Sequence, residues 1–434
     1  MILRKGNLTI RNAVPADAEQ LCAWWNDGAI MAHAGFPDGL SETVDNIRAS
    51  LTKDTDETNR RHIIEVDNKP IGEMNYRNKG YGVAEIGIKI CDVSSQNKNV
   101  GTMVLSIFID TLFTYYGYGK IVLDTNIDNT RAQHVYENKL GFIKVRTNEN
   151  AWIDQRGVPQ SSIDYELTKE SWLKNRQSTV TDYQADVLYN DRFPLSNKYD
   201  AKWVFENEMG PQPLWLTEAL TQSLNLSPGM RVLDLACGKG LTSVFLAREY
   251  GVQVYAVDFD EWGDMTSPEI RFGNAKAFNV DHLITPIKAN AENLPFASNF
   301  FDAVICVNAY IYFGANETYL DYIAKFLRPG GRIAMVVPGY PKDITNGVPL
   351  YIKDFLGDEL WTWKTFPWWR GLWEKSSCIA LDVADTLKNG NDLWLRYDAS
   401  LAASGLSRWP DETDIFRQDN GDYISFIRMV ATKK

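Results

Sequence analysis

Cysteine, histidine and positive charge are all scarce in this chain, and no apolar run reaches the roughly 20 residues that a membrane-spanning helix needs. The five cysteines (Cys22, Cys91, Cys237, Cys306, Cys378) form no CxxC pair and mostly sit in apolar runs. They read as buried free thiols in a reducing compartment. Four histidines (His33, His62, His134, His282) offer no cluster suited to zinc or iron, so no metal is expected. Lys and Arg total 45 against 56 Asp and Glu, a net charge of -11, which counts against nucleic acid as a partner. Small-molecule substrates, cationic ones among them, are the expected partners. The first ten residues are too short and polar for a signal peptide and read as a first strand. The expectation is a cytoplasmic protein without a membrane partner, and the oligomeric state is unknown from sequence.

What is present is enough for at least two hydrophobic cores: 434 residues, 44% hydrophobic and 23% charged. The rhythm of the chain changes near residue 170. Before it, a strand (8–12), a helix opened by Pro15 and Asp17 and a helix capped by Ser41 lead into three strands (62–66, 71–76, 84–90). Their short turn-like links predict antiparallel neighbours. An apolar helix (102–116), a strand (120–125), a helix (130–139) and two strands (142–147, 163–167) follow. A polar stretch with little periodicity marks the boundary. The expected division is a front domain 1–170, a linker 171–185 and a back domain 186–434. After a helical lead-in (183–226), apolar strands alternate with helices from 231 to 338, which predicts a doubly wound parallel sheet buried on both faces.

In the back domain, Val232-Leu233-Asp234-Leu235 runs into Ala236-Cys237-Gly238-Lys239-Gly240 and then a helix. Gly238 and Gly240 would let the backbone approach a ligand that a Cβ would hold off. Eighteen positions after Gly240, a second strand ends in Asp258, where this architecture puts an acid against ribose hydroxyls. A dinucleotide-dependent dehydrogenase shares both features, and a merely tight turn accounts for the glycines alone.

These residues resemble the class I S-adenosylmethionine-dependent methyltransferases. Leu233 to Gly240 is similar to their first motif, with Ala236 where glycine is more usual. Asn290-Ala291-Glu292-Asn293-Leu294-Pro295-Phe296 is similar to the adenine loop, with Asn290 where Asp is common; Phe301-Asp302-Ala303 and Leu327-Arg328-Pro329-Gly330-Gly331 are similar to the fourth strand and the turn before the fifth. The resemblance spans about 199–340 and implies a Rossmann-like domain with a helical cap. S-adenosyl-L-methionine would be held by Asp234, Ala236, Gly238, Gly240, Asp258, Asn290, Ala291 and Glu292. Methyl transfer needs in-line placement more than acid or base. Asn308, Tyr310 and Tyr312, just past the fourth strand, are the substrate-side candidates. Five tryptophans between 361 and 373, Trp369 among them, could cage an amine or simply pack as core, and packing is the favoured reading.

In the front domain, Ser94-Ser95-Gln96-Asn97-Lys98-Asn99-Val100-Gly101-Thr102 joins a strand to a helix, a loop that offers free backbone N–H groups to an anion. It is similar to the pyrophosphate motif of the GNAT acetyltransferases (Gln or Arg, two residues, Gly, one residue, Gly or Ala), with Asn99 replacing the first glycine. Asn tolerates positive φ. The run from Asn126 to Phe142, ending Leu140-Gly141-Phe142, is similar to the second GNAT signature. This resemblance covers about 7–168 and implies an α+β domain with a mixed, mostly antiparallel sheet. Gln96, Asn97, Lys98, Asn99, Val100, Gly101 and Thr102 would hold acetyl-CoA by its pyrophosphate, and Asn129 would meet the pantetheine arm. Tyr136 would protonate the leaving thiolate, and Glu85 would take a proton from the amine.

Two expectations of different class follow. One is a bifunctional enzyme that acetylates an amine and methylates a small molecule. The other, prompted by Asn99 and Ala236, is that one domain binds its cofactor without catalysis, as a sensor or scaffold.

Overall fold

The computed structural model describes residues 1–95, 99–176, 184–259, 266–407 and 411–434. They form two compact units, Met1–Arg192 and Phe193–Lys434. No helix among the described residues is long and apolar enough to cross a membrane.

The front unit is built on a nine-stranded sheet: β1 (Ile2–Lys5), β2 (Leu8–Asn12), β3 (Asn59–Val66), β4 (Lys69–Asn78), β5 (Val83–Ile90), β6 (Lys120–Asn126), β7 (Ile143–Ile153), β8 (Pro159–Thr168) and β9 (Gln184–Ala185). Its order is β7-β8-β6-β5-β4-β3-β2-β1-β9, and only β5 and β6 pair in parallel. Asp67 and Asn68, both at positive φ, make the two-residue turn that keeps β3 and β4 antiparallel. The helix Val100–Thr114 crosses between β5 and β6. It buries Val104, Phe108 and Leu112 in one core with Ile64, Tyr76, Ala84, Ile121 and Tyr165.

Three local expectations are corrected. The amino-terminal run is two strands separated by a turn at Gly6, not one. Thr43, not Ser41, caps the helix Val44–Leu51, its Oγ1 accepting from the Asn46 amide at 3.2 Å. The stretch read as a linker begins inside the helix Lys169–Asn175. Its Trp172 is buried and donates to Asp110 at 3.1 Å, and Arg176 pairs with the same carboxylate at 2.8 Å. One apolar anchor amid polar neighbours holds that helix down, and so few apolar positions show no periodicity.

The back unit holds a seven-stranded sheet in the order β12-β11-β10-β13-β14-β16-β15. β10 (Arg231–Leu235), β11 (Gln253–Asp258), β12 (Ile284–Lys288), β13 (Phe301–Val307) and β14 (Leu327–Gly339) are parallel, as the alternating pattern predicts. β15 (Ile379–Thr386) and β16 (Ser425–Lys433) add an antiparallel edge, so the sheet is mixed. The lead-in is less helical than predicted. Among the described residues its helices are Ala201–Asn207 and Pro213–Thr221, with a single 3-10 turn, Ser196–Lys198, before them.

Candidate active sites

The front-unit site follows from where two strands separate. Parallel pairing of β5 with β6 covers Val83↔Lys120, Ala84↔Ile121 and Glu85↔Val122 and ends there. Beyond it, residues 86–90 and 124–126 line a cleft of about 1630 Å³. Asn99, Val100, Gly101, Thr102, Asn129 and Tyr136 all line this cleft; Gln96, Asn97 and Lys98 lie outside the described residues.

Asn99 stands at φ 59, the left-handed turn for which glycine is usual, and it caps the Val100–Thr114 helix with no side-chain hydrogen bond. The first N–H groups of that helix therefore stay available to an anion. Asn129 has a further duty, because its Oδ1 caps the next helix by accepting from the Ala132 amide at 3.2 Å. That helix widens into a π-helical turn at Val135–Lys139, which carries Tyr136. The Tyr136 ring packs edge-on against Phe142 and Tyr165, each centroid 5.8 Å away. Burial, with the Asp124 charge adding, pushes its phenol up to about 12, so the group keeps its proton at neutral pH.

Glu85 is the correction in this unit. It does not line the cleft; its carboxylate accepts from Lys79 at 3.0 Å and lies 3.4 Å from Arg77. The reason is register: Glu85 sits at the last pair before the strands part, directly opposite Arg77 on β4. Two other carboxylates do line the cleft. Glu73 on β4 accepts from Trp25 Nε1 at 2.8 Å and from Lys89 at 3.0 Å. Asp124 on β6 is raised above the usual carboxylate range by desolvation, then by the charges of Asp164, its cross-strand partner, and Glu85. Asp124 was legible only as part of a strand, because nothing local tells that its strand end is left unpaired by β5.

In the back unit, the turn after β10 alternates left-handed residues: Ala236 at φ 56, Gly238 at φ 55 and Gly240 at φ 84. Gly240 begins the Leu241–Tyr250 helix without a side-chain cap. Asp258, half-buried at the end of β11, accepts from the Gly238 amide at 2.7 Å, which ties the acid to the turn. A Cβ on Gly238 would meet Met209 Cγ at 2.9 Å, and one on Gly210 would meet Asn308 Nδ2 at 3.0 Å. The lead-in segment 209–211 thus lies across both the glycine turn and the end of β13.

Several expected contacts have other partners. Asp234 is fully buried, accepts from Ser243 Oγ at 2.5 Å and is pushed up to about 7 by desolvation. It lies sealed from solvent at the base of the turn, because β10 is an interior strand flanked by β11 and β13. Asn290 Oδ1 accepts from the Glu292 amide at 2.8 Å, and Tyr319 donates to the Ala291 carbonyl at 3.0 Å, so this loop is pinned from within. Of the substrate-side candidates, Asn308 stands just past the end of β13, an interior strand, and donates to the Pro211 carbonyl at 3.0 Å. Tyr312 is half-exposed, its hydroxyl 3.4 Å from Glu359. Tyr310 and Trp369 are buried against each other with centroids 5.8 Å apart, which is the packing reading of the tryptophan-rich segment. The described residues contain no group of acids, histidines and cysteines able to hold a metal.

Comparison with known proteins assigns a family to each unit. Residues 7–143 form an acetyltransferase (GNAT) domain, and residues 232–331 form a methyltransferase domain. The chain therefore joins two group-transfer domains. The back unit is similar to methyltransferase GfsG of Streptomyces halstedii, 29% identical over 136 residues, 31% of this chain and 48% of that protein. It is also similar to demethylmenaquinone methyltransferase of Clavibacter sepedonicus, 33% identical over 153 residues, 33% of this chain and 56% of that protein. The chain spans only about half the length of these curated relatives. Among solved structures, spermidine N-acetyltransferase from Vibrio cholerae is 24% identical with a TM-score of 0.36, covering 39% of this chain and 99% of that one.

Proposed function

We propose that the chain performs two transfers, acetyl-CoA-dependent acetylation of an amine at the front-unit cleft and S-adenosylmethionine-dependent methylation of a small molecule in the back unit. The observation that carries this reading is the pair of left-handed, uncapped turns at helix starts, Asn99 and Gly238–Gly240. One stands beside a cleft holding a protonated tyrosine, the other is tied to a strand-end carboxylate. When bound, acetyl-CoA supplies an activated acyl carbon and S-adenosylmethionine an activated methyl group on a sulfonium.

In the front unit, the amides of residues 99–102 hold pyrophosphate and the Asn129 side chain, beyond its capping bond, meets the pantetheine arm. Asp124 takes the proton that the amine nitrogen loses as the new N–C bond forms; its raised pKa makes it a better base than an ordinary carboxylate. Tyr136 gives its proton to the departing sulfur as the C–S bond breaks. The cleft is lined by Asp27, Glu73, Asp124, Asp128 and Asp154 against Lys89, Arg131 and Lys139, an acidic excess that favours an amine arriving as a cation. In the back unit, Asp258 accepts from the ribose hydroxyls and the Gly240 turn lets the backbone close on the donor. The departing group needs no acid there, because the sulfonium leaves as a neutral thioether.

Scanning calorimetry of the full chain with acetyl-CoA, with S-adenosylhomocysteine and with NADH tests the reading, since a ligand of the native state raises the melting temperature. Shifts with the first two are expected; a shift with NADH alone would overturn the back-unit reading. Release of CoA thiol across a panel of amines separates an acetyltransferase from a cofactor-binding scaffold.

A further inference from the structure

On the face of β4 and β5 that carries Glu85, three cross-strand pairs follow one another: Glu73 opposite Lys89, Asn75 opposite Gly87, and Arg77 opposite Glu85. The two outer pairs are closed by charge, with Lys89 at 3.0 Å from Glu73 and Arg77 at 3.4 Å from Glu85. The middle pair is neutral and open. Asn75 is half-buried and lines the cleft, and its side chain makes no hydrogen bond among the described residues.

Gly87 lines the cleft beside it. A glycine inside a strand gives up packing and conformational entropy, and it marks a place where something comes close to the backbone. The backbone itself does not ask for glycine here, since φ of Gly87 is not positive. What the missing side chain leaves is space. A Cβ on Gly87 would meet Asn75 Oδ1 at 2.7 Å, so the amide of Asn75 lies over bare backbone.

Asp124 stands on the other side of that space. β5 and β6 pair in parallel as far as Glu85 opposite Val122. Two residues further along each strand, on the same face, come Gly87 and Asp124, which line the cleft where the strands have parted. The row therefore runs Asn75, Gly87, Asp124, an amide and a carboxylate on either side of a strip without a side chain. Neighbouring strands stand about 4.8 Å apart, so at least one such spacing separates the amide over Gly87 from the strand of Asp124. That is room for a two-carbon unit with a polar atom at each end.

We infer that Asn75, lying over the bare backbone of Gly87, is a specificity-determining residue of acetyl transfer, and that the acceptor is a vicinal amino alcohol with its nitrogen at Asp124 and its hydroxyl on the Asn75 amide. This rests on the reading of the front unit as an acetyltransferase with Asp124 as its base. A hydroxyl both donates and accepts, so it pairs with either end of the amide. A second ammonium only donates. It would give up its hydration for a neutral partner, because Glu73, the next acid along this face, is already engaged by Trp25 and Lys89.

The test is steady-state acetyl transfer by the full chain at saturating acetyl-CoA, read as release of CoA thiol, with ethanolamine, 2-methoxyethylamine and ethylenediamine as acceptors. Ethanolamine should exceed 2-methoxyethylamine, which cannot donate from its oxygen, about tenfold in kcat/KM, and should also exceed ethylenediamine. Asn75→Ala should bring the ratio of ethanolamine to 2-methoxyethylamine close to one. Gly87→Ala, whose Cβ displaces the amide, should lower the same ratio. A CoA titration of each variant reports that the unit is folded. Equal rates for ethanolamine and 2-methoxyethylamine in the wild type, a ratio unchanged by either variant, or preference for ethylenediamine would each overturn the inference. CoA binding without thiol release from any amine would instead overturn the reading on which it rests.

Discussion

Asn99 in the front unit and Ala236 in the back unit occupy the same kind of position, a non-glycine residue at positive φ (59° and 56°) where the turn of each family usually has glycine. Their side chains make the two turns energetically unlike. Asparagine enters the left-handed region with little penalty, whereas alanine there carries about 1–2 kcal/mol of steric strain. The front turn is relaxed and opens on a wide cleft lined by charged groups. The back turn is strained and lies under Met209, whose neighbour Gly210 packs on Asn308. An open cleft with an excess of acids fits an acceptor that arrives as a cation.

The largest expected effect separates the chemistry of the two units. Tyr136→Phe should lower kcat for acetyl transfer by about a hundredfold or more, with CoA affinity kept and methyl transfer unaffected. Steady-state kinetics and a CoA titration check it; unchanged kcat would remove the tyrosine from the proton path. Asp124→Asn should lower the acetylation rate and remove the rise of kcat/KM with pH through the raised pKa of Asp124. In the back unit, Asp258→Ala should weaken S-adenosylhomocysteine by about a hundredfold, the worth of two hydrogen bonds to a charged carboxylate, and leave CoA binding as it was. Calorimetric titration would register this.

The pH response of stability sharpens the same contrast. Desolvation raises Asp234, Asp398 and Glu412 of the back unit to about 7. A carboxyl raised on folding holds its proton in the native state between its unfolded and folded pKa values. Its stabilisation is therefore full below about pH 4 and is lost as pH rises through about 7. Melting of the back unit should fall between pH 5 and 7.5 by more than that of the front unit, and Asp234→Asn should flatten part of the slope. A slope of opposite sign would contradict the burial argument.

The smallest effect tests the turns themselves. Ala236→Gly should stabilise the back unit by about 1 kcal/mol, because relief of strain outweighs the added freedom of the unfolded chain, while Asn99→Gly should change the front unit by less than about 0.5 kcal/mol. Equal responses in thermal melts would show that alanine is not strained there.

The parts of both sites that reside in backbone geometry were legible from residue type. Gly238, Gly240 and Asn99 announce left-handed turns, and Asp258 ends its strand where the architecture demands an acid. What long-range register decides was not legible. Whether Glu85 faces the cleft depends on β5 and β6 parting just after it, and no local pattern records that. Asp234 reads as a ligand contact in its motif, yet on the interior strand β10 it is buried and bonded to Ser243. Gln212 lies within the lead-in predicted to be helical; that it is sealed from solvent follows only from tertiary packing. The antiparallel edge formed by β15 and β16 lies beyond the last motif that guided the sequence reading.

The account depends most on two separate donor sites in one chain. Calorimetric titration of the full chain with CoA and then with S-adenosylhomocysteine tests it directly. One site for each ligand, with neither displacing the other, is the predicted result; absence of heat from either, or competition between the two for one site, would contradict it.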